Sequence, residues 1–313
     1  MRIGRVIGIV FVVLILLVVG LFVYADFSLK RTDALQDYSG RPAAGSGTNW
    51  LMVGSDSRDG LTDEQKQQLA TGDDSGSRTD TILLLHVPGS GKPTLVSLLR
   101  DSYVDIPGHG KNKLNAAFAF GGAPLLQQTV EGATGLHIDH YMEIGFAGFA
   151  GVVDDIGGVN MCIDTPMVDP KAGLNLQPGC QDLTGAQALG YVRTRATPRA
   201  DLDRVVHQRQ FLSAVVSKVT SPGVMFNPFK IIPLMSSVPA ALTVNNGDHV
   251  WHLASLAFTL ASKDLVTTTV PIAGTPTIAG AGSVVLWDKD KAGRLFNALR
   301  TDAEVPPDVL TGH

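Results

Sequence analysis

Residues 81–99 read TILLLHVPGSGKPTLVSLL. Two apolar runs, Thr81–Val87 and Thr94–Leu99, flank a short connection made of Pro, Gly, Ser and Lys. Turn-forming residues between two runs of strand length predict a β-hairpin. We expect these strands to belong to a largely buried sheet.

Further segments extend this pattern on both sides of the hairpin. Asn49–Gly54 predicts another strand, and the polar stretch Ser55–Ser77 predicts a surface excursion with a short helix at Thr62–Ala70, capped by Thr62. Two predicted helices, 115–120 and 125–134, are divided by a break at Gly121–Gly122, and Thr184 begins a capping box at the start of another, 184–191. The other predicted helices are 146–156, 202–220, 251–261 and 289–300, and the other predicted strands are 141–144, 159–163 and 266–272. This alternation predicts an α/β fold with a mixed central sheet flanked by helices on both faces.

The N-terminal segment predicts a membrane anchor. Val6–Ala25 holds 20 residues without a charge, and a helix of that length spans roughly 30 Å, the thickness of a hydrocarbon core. Arg2 and Arg5 precede it and favour a cytoplasmic N-terminus. The alternative is a cleaved signal peptide ending at Ala25, but the apolar run is longer than the usual core of such peptides.

The overall composition indicates the class of protein, and the segments indicate how the chain is divided. With 44% apolar residues, 17% charged residues, a net charge of −4 and a mean hydropathy of +0.16, the chain is neither disordered nor a general nucleic-acid binder. We expect a cytoplasmic stub and anchor (1–25), a flexible linker (26–48), one extracytoplasmic domain (49–303) and a tail (304–313). The Gly- and Ala-rich, Lys-poor composition suggests a GC-rich bacterial source such as an actinobacterium.

Two cysteines, Cys162 and Cys180, flank a loop containing Pro, Gly and Asp. In an oxidising compartment such a pair predicts a disulfide bond. The alternative is two unrelated buried thiols. A zinc site is excluded because two cysteines without nearby histidines cannot supply four ligands.

Charged residues cluster at the ends of the hairpin. Arg78 and Asp80 precede its first strand, while Arg100 and Asp101 follow its second strand. Because the two strands are antiparallel, these ends lie next to each other. Ligands usually bind at strand ends of this kind. The alternative is that these charged residues form only ordinary surface ion pairs.

The strand ending at Gly54 extends this cluster. Asp56 and Arg58 follow it, and they join the same sheet edge if that strand runs in the same direction as Thr94–Leu99.

The segment Arg193–Arg209 carries a local charge of +3 from five arginines and two aspartates. The planar guanidinium suits bidentate contacts with phosphate oxygens. Arg204 and Gln208 are one helical turn apart and can face one ligand; the alternative is a solvated basic face. Arginines facing aspartates predict a phosphate-rich ligand held partly through Mg²⁺, with Asp56 and Asp80 on the metal side.

Four phenylalanines recur at helical spacings, and they are most simply core residues. A lipid pocket would draw on the same side chains, which are Phe118, Phe120, Phe146 and Phe149.

Five separated blocks resemble the LytR-CpsA-Psr family, the membrane-anchored enzymes that attach glycopolymers to the bacterial cell wall. The blocks are Val53–Arg58, Arg78–Thr81, Leu99–Pro107, Lys111–Gly122, and Tyr191–Arg195 continued by Asp201–Arg204 with Gln208. The resemblance implies an α/β/α domain of that family, with an apolar tunnel for a lipid tail between the sheet and the helices.

The resemblance also implies the substrates. The donor is a polyprenyl-pyrophosphate-linked glycan, such as an arabinogalactan or a teichoic-acid-like polymer, and the acceptor is a peptidoglycan sugar hydroxyl. Mg²⁺, or Mn²⁺ in its place, assists the transfer. The residues that match the pyrophosphate-binding positions are Arg78, Arg100, Arg193, Arg195, Arg204 and Gln208.

The expected activity is a phosphotransferase reaction that leaves the glycan joined to the wall through a phosphodiester. Arginines and the metal stabilise the transferring phosphoryl group. Asp56 is the first candidate for the general base and Asp101 the second. Two alternatives use the same residues: a polyprenyl-pyrophosphate hydrolase, and a non-enzymatic protein that binds or senses lipid-linked glycans.

Overall fold

The computed structural model describes residues 2–57, 62–71, 79–194, 196, 201–225 and 227–311. Within these residues the α-helices are α1 (Arg2–Ser28), α2 (Asp63–Gln68), α3 (Leu114–Thr134), α4 (Phe146–Asp155), α5 (Gly185–Arg193), α6 (Asp201–Val219), α7 (Pro222–Met225), α8 (Pro228–Ala241), α9 (Val250–Leu260) and α10 (Lys289–Arg300).

The described residues also form β-strands. They are β1 (Lys30–Thr32), β2 (Thr48–Ser55), β3 (Thr79–Val87), β4 (Thr94–Leu98), β5 (Tyr103–Ile106), β6 (Gly110–Lys113), β7 (His140–Ile144), β8 (Val159–Ile163), β9 (Met167–Asp169), β10 (Leu174–Leu176), β11 (Gly179–Leu183), β12 (Leu242–Asn245), β13 (Val266–Thr269), β14 (Ile272–Gly274), β15 (Thr277–Ile278), β16 (Gly282–Ser283) and β17 (Leu286–Trp287).

A mixed sheet in the order β1-β12-β7-β2-β3-β4-β13 forms the centre of the domain. The hairpin predicted from residues 81–99 is confirmed, since β3 and β4 pair antiparallel with Ile82 opposite Leu98. β2 pairs antiparallel with β3 over its whole length. β2 therefore runs in the same direction as β4, which is the condition that brings Asp56 to the edge where Asp80 and Arg100 lie.

Alternate residues of the central strands face two different layers. Leu51, Val53, Ile82 and Leu84 pack with α3 and α10. On the opposite face, Trp50, Met52, Leu83 and Leu85 pack with α6 and α9. The predicted α/β architecture with helices on both faces is confirmed.

Most predicted elements outside the hairpin are also confirmed. Thr62 and Thr184 each form a capping box at the start of α2 and α5. The predicted break at Gly121–Gly122 is a kink within α3, where Gly122 has a φ of 64°. The predicted strand 266–272 is divided into β13 and β14, because Pro271 lies between them and cannot donate a ladder hydrogen bond.

Helix α8 is an element that the sequence pattern did not predict. Pro233 and Pro239 lie inside it, and proline inside a helix removes a hydrogen bond and usually ends it. The helix begins with an Asn227 cap that accepts a hydrogen bond from Phe229 N. Packing against α4 stabilises it, as tertiary contacts generally do for helices of weak intrinsic propensity.

The structure differs from the expected linker at residues 26–48. α1 continues to Ser28, and β1 pairs parallel with β12 at the edge of the main sheet. Ala34 is fully buried, and the Arg41 guanidinium contacts the buried Glu131 carboxylate at 3.1 Å. Backbone pairing and this ion pair hold a Gly- and Pro-containing segment that composition alone marks as flexible.

Cys162 and Cys180 lie opposite each other in the antiparallel pair of β8 and β11. Their sulfur atoms are bonded, which closes the hairpin-like loop that contains β9 and β10. This subdomain packs beside α5 and α6.

Glu131 provides a test of whether the segment after α1 is part of the folded domain. Its carboxylate accepts hydrogen bonds from Arg41, Gln127 and the Ile138 backbone N–H. The substitution Glu131→Gln leaves the Arg41 charge without its buried partner, so we expect the free energy of unfolding to fall by about 3 kcal/mol.

The measurement is denaturant unfolding of the full chain in detergent. The matched control is Asp37→Asn, because Asp37 pairs with the same guanidinium but its side chain is 96% exposed. We expect the control to change stability by less than about 0.5 kcal/mol. Equal small effects of both substitutions would contradict the assignment.

Candidate active site

The ends of β2, β3 and β4 place charged side chains at one edge of the sheet. Ser55 lies opposite Thr79 after a β-bulge at Gly54. The Arg100 guanidinium donates to the Asp80 carboxylate in an ion pair across the open end of the hairpin. The predicted convergence of Asp80 and Arg100 is thus present in the structure.

Asp101 lies between two cations. One of its carboxylate oxygens is 3.4 Å from Arg100 Nε, and the other is 2.9 Å from Lys113 Nζ. The turn carrying Arg100 and Asp101 is fixed by the start of α3, because Asn115 N donates to the Arg100 carbonyl. Sequence reasoning assigned no role to Lys113, although it stands within the fourth block of the family resemblance.

Asp56 follows β2 at the same edge. The next residue, Ser57, accepts a hydrogen bond through its carbonyl from Phe146 N, at the first residue of α4. Gly145, the N-cap of α4, approaches this segment so closely that an added Cβ would lie 3.2 Å from the Ser57 carbonyl oxygen. Close packing against α4 therefore positions the backbone that carries Asp56.

A cavity of ≈ 210 Å³ opens beside this edge, between the sheet and helices α4, α5 and α6. Most of its wall is apolar. The apolar lining side chains include Met52, Leu83, Met142, Ile144, Phe146, Phe149, Val152, Val153, Leu189, Val192, Phe211, Leu212 and Val215. The charged lining side chains are Asp80, Arg193 and Arg204, and Gln208 adds a polar amide.

The four phenylalanines predicted for a lipid pocket divide into two groups. Phe146 and Phe149 line the cavity. Phe118 lies in the core between the sheet and α10, and Phe120 is half-exposed and stacks on the His109 ring at 4.6 Å. Phe118 and Phe120 do not contribute to the cavity because α3 packs on the opposite face of the sheet.

Arg193 ends helix α5 and connects the cavity to the excursion after β2. Its guanidinium donates to the Leu69 and Ala70 carbonyl oxygens at 3.1 and 3.3 Å. The same group lies over the Phe146 ring, 4.7 Å from the centroid. These contacts orient the guanidinium at the cavity wall.

Arg204 and Gln208 lie one turn apart on α6 and both line the cavity, as their spacing predicts. Arg204 is buried, with 3% of its surface exposed. Gln208 donates to the Val192 carbonyl and so links α6 to α5. Burial lowers the pKa of Arg209, but an arginine still carries its charge at neutral pH. The predicted pyrophosphate ligands Arg78 and Arg195 lie outside the described residues.

Behind the arginines, α5 and α6 are joined by Tyr191. Its hydroxyl contacts Gln210 at 3.2 Å, and its ring packs on His207. Burial raises the pKa of Tyr191 to about 12. The phenol therefore stays protonated at neutral pH and acts as a structural hydrogen-bond donor.

The arrangement suits an amphiphilic ligand with an anionic head. The apolar wall matches a hydrocarbon chain, and the guanidinium groups at one end match phosphate oxygens. The carboxylates of Asp56 and Asp80 at the same edge are oxygen ligands of the kind that Mg²⁺ prefers.

Comparison with known families identifies the domain. Residues 26–301 match the model of the LytR_cpsA_psr family. The chain belongs to the LytR-CpsA-Psr family. The expectation drawn from the five sequence blocks is therefore confirmed.

Two relatives from Corynebacterium glutamicum are similar over most of this chain. The probable cell wall biosynthesis protein LcpB is 53% identical over 298 residues, which cover 95% of this chain and 71% of LcpB. The cell wall biosynthesis protein LcpA is 32% identical over 303 residues, which cover 85% of this chain and 58% of LcpA. Corynebacterium is an actinobacterial genus, in agreement with the composition.

Solved structures of the LytR-CpsA-Psr family share the fold. An enzyme of the family from Actinomyces oris aligns with a TM-score of 0.65 at 21% identity, covering 87% of this chain and 96% of that one. A structure of TagT bound to LIIa-WTA aligns with a TM-score of 0.60 at 23% identity, covering 87% and 96%.

The contacts of Arg193 predict a measurable effect on the excursion after β2. The substitution Arg193→Lys keeps the charge but loses the planar fork that reaches two carbonyl groups. We expect amide hydrogen exchange in residues 62–71 to become about tenfold faster, since each lost hydrogen bond contributes about 1 kcal/mol.

The measurement is hydrogen–deuterium exchange with mass spectrometry on the full chain. Arg300→Lys is the control, because Arg300 is exposed on α10 and does not touch this segment. Unchanged exchange in 62–71 would show that Arg193 does not hold the excursion.

Proposed function

We propose that this protein is a cell-wall glycopolymer transferase that uses a polyprenyl-pyrophosphate-linked glycan as donor and a peptidoglycan sugar hydroxyl as acceptor. The observation that carries the proposal is the continuity of an apolar cavity with a cluster of arginines and aspartates at one sheet edge. The names of related proteins support it: LcpB and LcpA are cell wall biosynthesis proteins, and TagU of Enterococcus faecalis, 40% identical over 172 residues, is a polyisoprenyl-teichoic acid–peptidoglycan teichoic acid transferase.

The donor fits the site by its two chemical halves. The polyprenyl tail would contact the apolar wall around Phe149, Phe211 and Val215. The pyrophosphate would lie at the charged end, where Arg193 and Arg204 offer forked donors. Arg100, Gln208, Arg78 and Arg195 complete the proposed set of pyrophosphate ligands.

Asp56 and Asp80 would hold the metal ion. Their carboxylates are hard oxygen donors at the same edge as the arginines, so the donor chemistry fits Mg²⁺ or Mn²⁺. When bound, the metal supplies positive charge near the phosphoryl oxygens.

In the proposed reaction, the acceptor hydroxyl oxygen forms a bond to the sugar-proximal phosphorus. The bond between that phosphorus and the bridging oxygen breaks, and polyprenyl phosphate leaves. The hydroxyl proton passes to Asp56, and the glycan remains joined to the wall through a phosphodiester. Arginines contribute by stabilising charge on the transferring phosphoryl oxygens.

Asp101, the second candidate for the general base after Asp56, is held between two cations. Both carboxylate oxygens of Asp101 contact cations, Arg100 and Lys113. We infer that Asp101 positions Arg100 and Lys113 at the edge.

The proposed location follows from α1. Among the described residues, Ile7–Ser28 forms one helix long and apolar enough to cross a membrane. We infer a single-pass protein with the N-terminus in the cytoplasm, as Arg2 and Arg5 favour. The catalytic domain would then face the cell wall.

The experiment combines the purified full chain, a polyprenyl-pyrophosphoryl oligosaccharide, Mg²⁺ and a short peptidoglycan fragment, with mass spectrometry of the products. We expect a fragment that carries the glycan and one phosphate. Glycan phosphate without acceptor labelling would indicate a hydrolase. Tight donor binding without any product would indicate a binding protein, and either result would overturn the proposal.

Arg204 predicts a large effect on turnover. The substitution Arg204→Ala removes a buried guanidinium from the cavity wall. If it stabilises the transition state, kcat/KM should fall at least 100-fold, or about 2.7 kcal/mol. Arg300→Ala, on the far helix α10, should leave kcat/KM unchanged. Near-normal turnover of the Arg204 variant would exclude this role.

The position of Val215 in the cavity wall leads us to expect a change in KM that depends on the length of the donor's lipid tail. The substitution Val215→Trp adds an indole to the cavity wall on α6. We expect KM for a long-chain donor to rise about tenfold, because a tail excluded from apolar contacts loses about 0.8 kcal/mol for each CH₂. KM for a donor with a short tail should change little. Equal changes for both donors would place the tail elsewhere.

A further inference from the structure

Helix α8 carries an apolar face that no part of the described chain covers. Phe229 is 89% exposed and Ile232 is 51% exposed, with Pro233 exposed beside them. Exposed neighbouring apolar side chains of this size generally mark an interaction surface.

The opposite face of α8 packs on the cavity wall. Leu234 and Val238 belong to the same cluster as Val153 and Phe211, which line the cavity. At 100° per residue, Leu234 and Val238 point away from Phe229 and Ile232. α8 therefore lies on the outer side of α4 and α6, two of the helices that wall the proposed lipid cavity.

The position of helix α1 indicates what surrounds the exposed face of α8. α1 packs against α8. Apolar residues that are buried or half-buried recur at intervals of four at its end, at Leu21 and Ala25 of α1 and at Leu29 just after it. Leu29 belongs to a cluster with Leu242 and Val238, at the C-terminal end of α8. α8 therefore packs beside the helix that we propose to cross the membrane, near its C-terminal end.

Two further groups near the end of α1 suit a membrane surface. Trp251 is 55% exposed and stacks on His249, whose ring contacts the Asp26 carboxylate of α1 at 3.1 Å. Tryptophan is enriched at the level of lipid headgroups. Lys230, also exposed on α8, offers a positive charge next to the apolar face, as anionic lipids favour.

We propose that the N-terminal half of α8 inserts its Phe229–Ile232 face into the outer leaflet beside α1. The inserted helix would seat the domain on the bilayer with the cavity wall directly above the lipid. A polyprenyl tail could then pass between membrane and cavity along α8. This inference rests on the proposed function for its lipid substrate and on α1 as a membrane span.

The first test measures position without any activity. Phe229→Cys and Ile232→Cys variants of the full chain carry one reactive thiol, because Cys162 and Cys180 are bonded to each other. Each is labelled with an environment-sensitive nitrobenzoxadiazole dye and placed in nanodiscs of phosphatidylcholine and phosphatidylglycerol. We expect blue-shifted emission that nitroxide lipids labelled near the headgroup quench strongly.

Lys289→Cys is the control, because Lys289 is exposed on α10, which packs on the opposite face of the sheet. Its dye should report water and resist quenching. Emission typical of water at Phe229 and Ile232 would overturn the inference. A blue shift that disappears when each nanodisc holds one protein would assign the face to a second copy of this chain, and would overturn it as well.

The second test concerns transfer. The double variant F229S/I232S changes exposed residues outside the cavity, and its thermal stability serves as the folding check. We expect transfer from a long-chain donor embedded in nanodiscs to fall about tenfold, consistent with the loss of two inserted apolar side chains. Transfer from a short-tail soluble donor should not change.

The two tests separate the two hypotheses. If the unmodified protein transfers neither donor, the proposed function fails, while the fluorescence result still decides the position of α8. If transfer occurs and the double variant matches the unmodified protein with the embedded donor, the inferred role of α8 in lipid passage fails.

Discussion

The antiparallel pairing of β3 with its two neighbours, β2 and β4, is the constraint on which the candidate site depends. It gives β2 and β4 a common direction. Asp56 and Arg100, which follow these two strands, therefore lie at the same sheet edge as Asp80, near the start of β3. The Arg100–Asp80 ion pair then joins two of the three strand ends. Since a shift of register by one residue would turn the buried Leu and Val side chains toward the wrong layer, hydrophobic burial on both faces also fixes the position of the charges.

The cavity arises because the two sides of the sheet are filled differently. On the side of α3 and α10, the helices close tightly over the strands and leave Phe118 in a continuous core. On the side of α4, α5 and α6, the apolar side chains line a space that they do not fill. Arg193 at its charged end is held by two backbone carbonyls and an aromatic ring, so that its orientation is set before a ligand arrives. Such preorganisation is the main way in which a protein favours charge development in phosphoryl transfer.

The sequence was sufficient for the features that depend on local pattern. The hairpin, the caps at Thr62 and Thr184, the break at Gly121–Gly122 and the shared face of Arg204 and Gln208 all follow from residue spacing. Features that depend on tertiary contacts could not be predicted from the sequence. α8 forms despite Pro233 and Pro239 because it packs on α4. Phe118 and Phe146 have similar local sequences, but their helices pack on opposite faces of the sheet. For that reason Phe146 lines the cavity and Phe118 does not. Lys113 acquires its partner Asp101 through the fold, and the polar strand β1 is held by β12 rather than by its own composition.

The passage from α1 into β1 within two residues has a mechanical consequence. Asp26 and Leu29 tie the end of α1 to α9 and β12, and Lys30 already belongs to the main sheet. With α1 in the membrane, as we propose, the sheet edge that carries Asp56, Asp80 and Arg100 would stand at a constant height above the bilayer and could not move through the wall on a flexible linker. The protein would then modify only the glycan strands that lie at that height above the membrane. Each new acceptor would have to reach the site through growth of the wall.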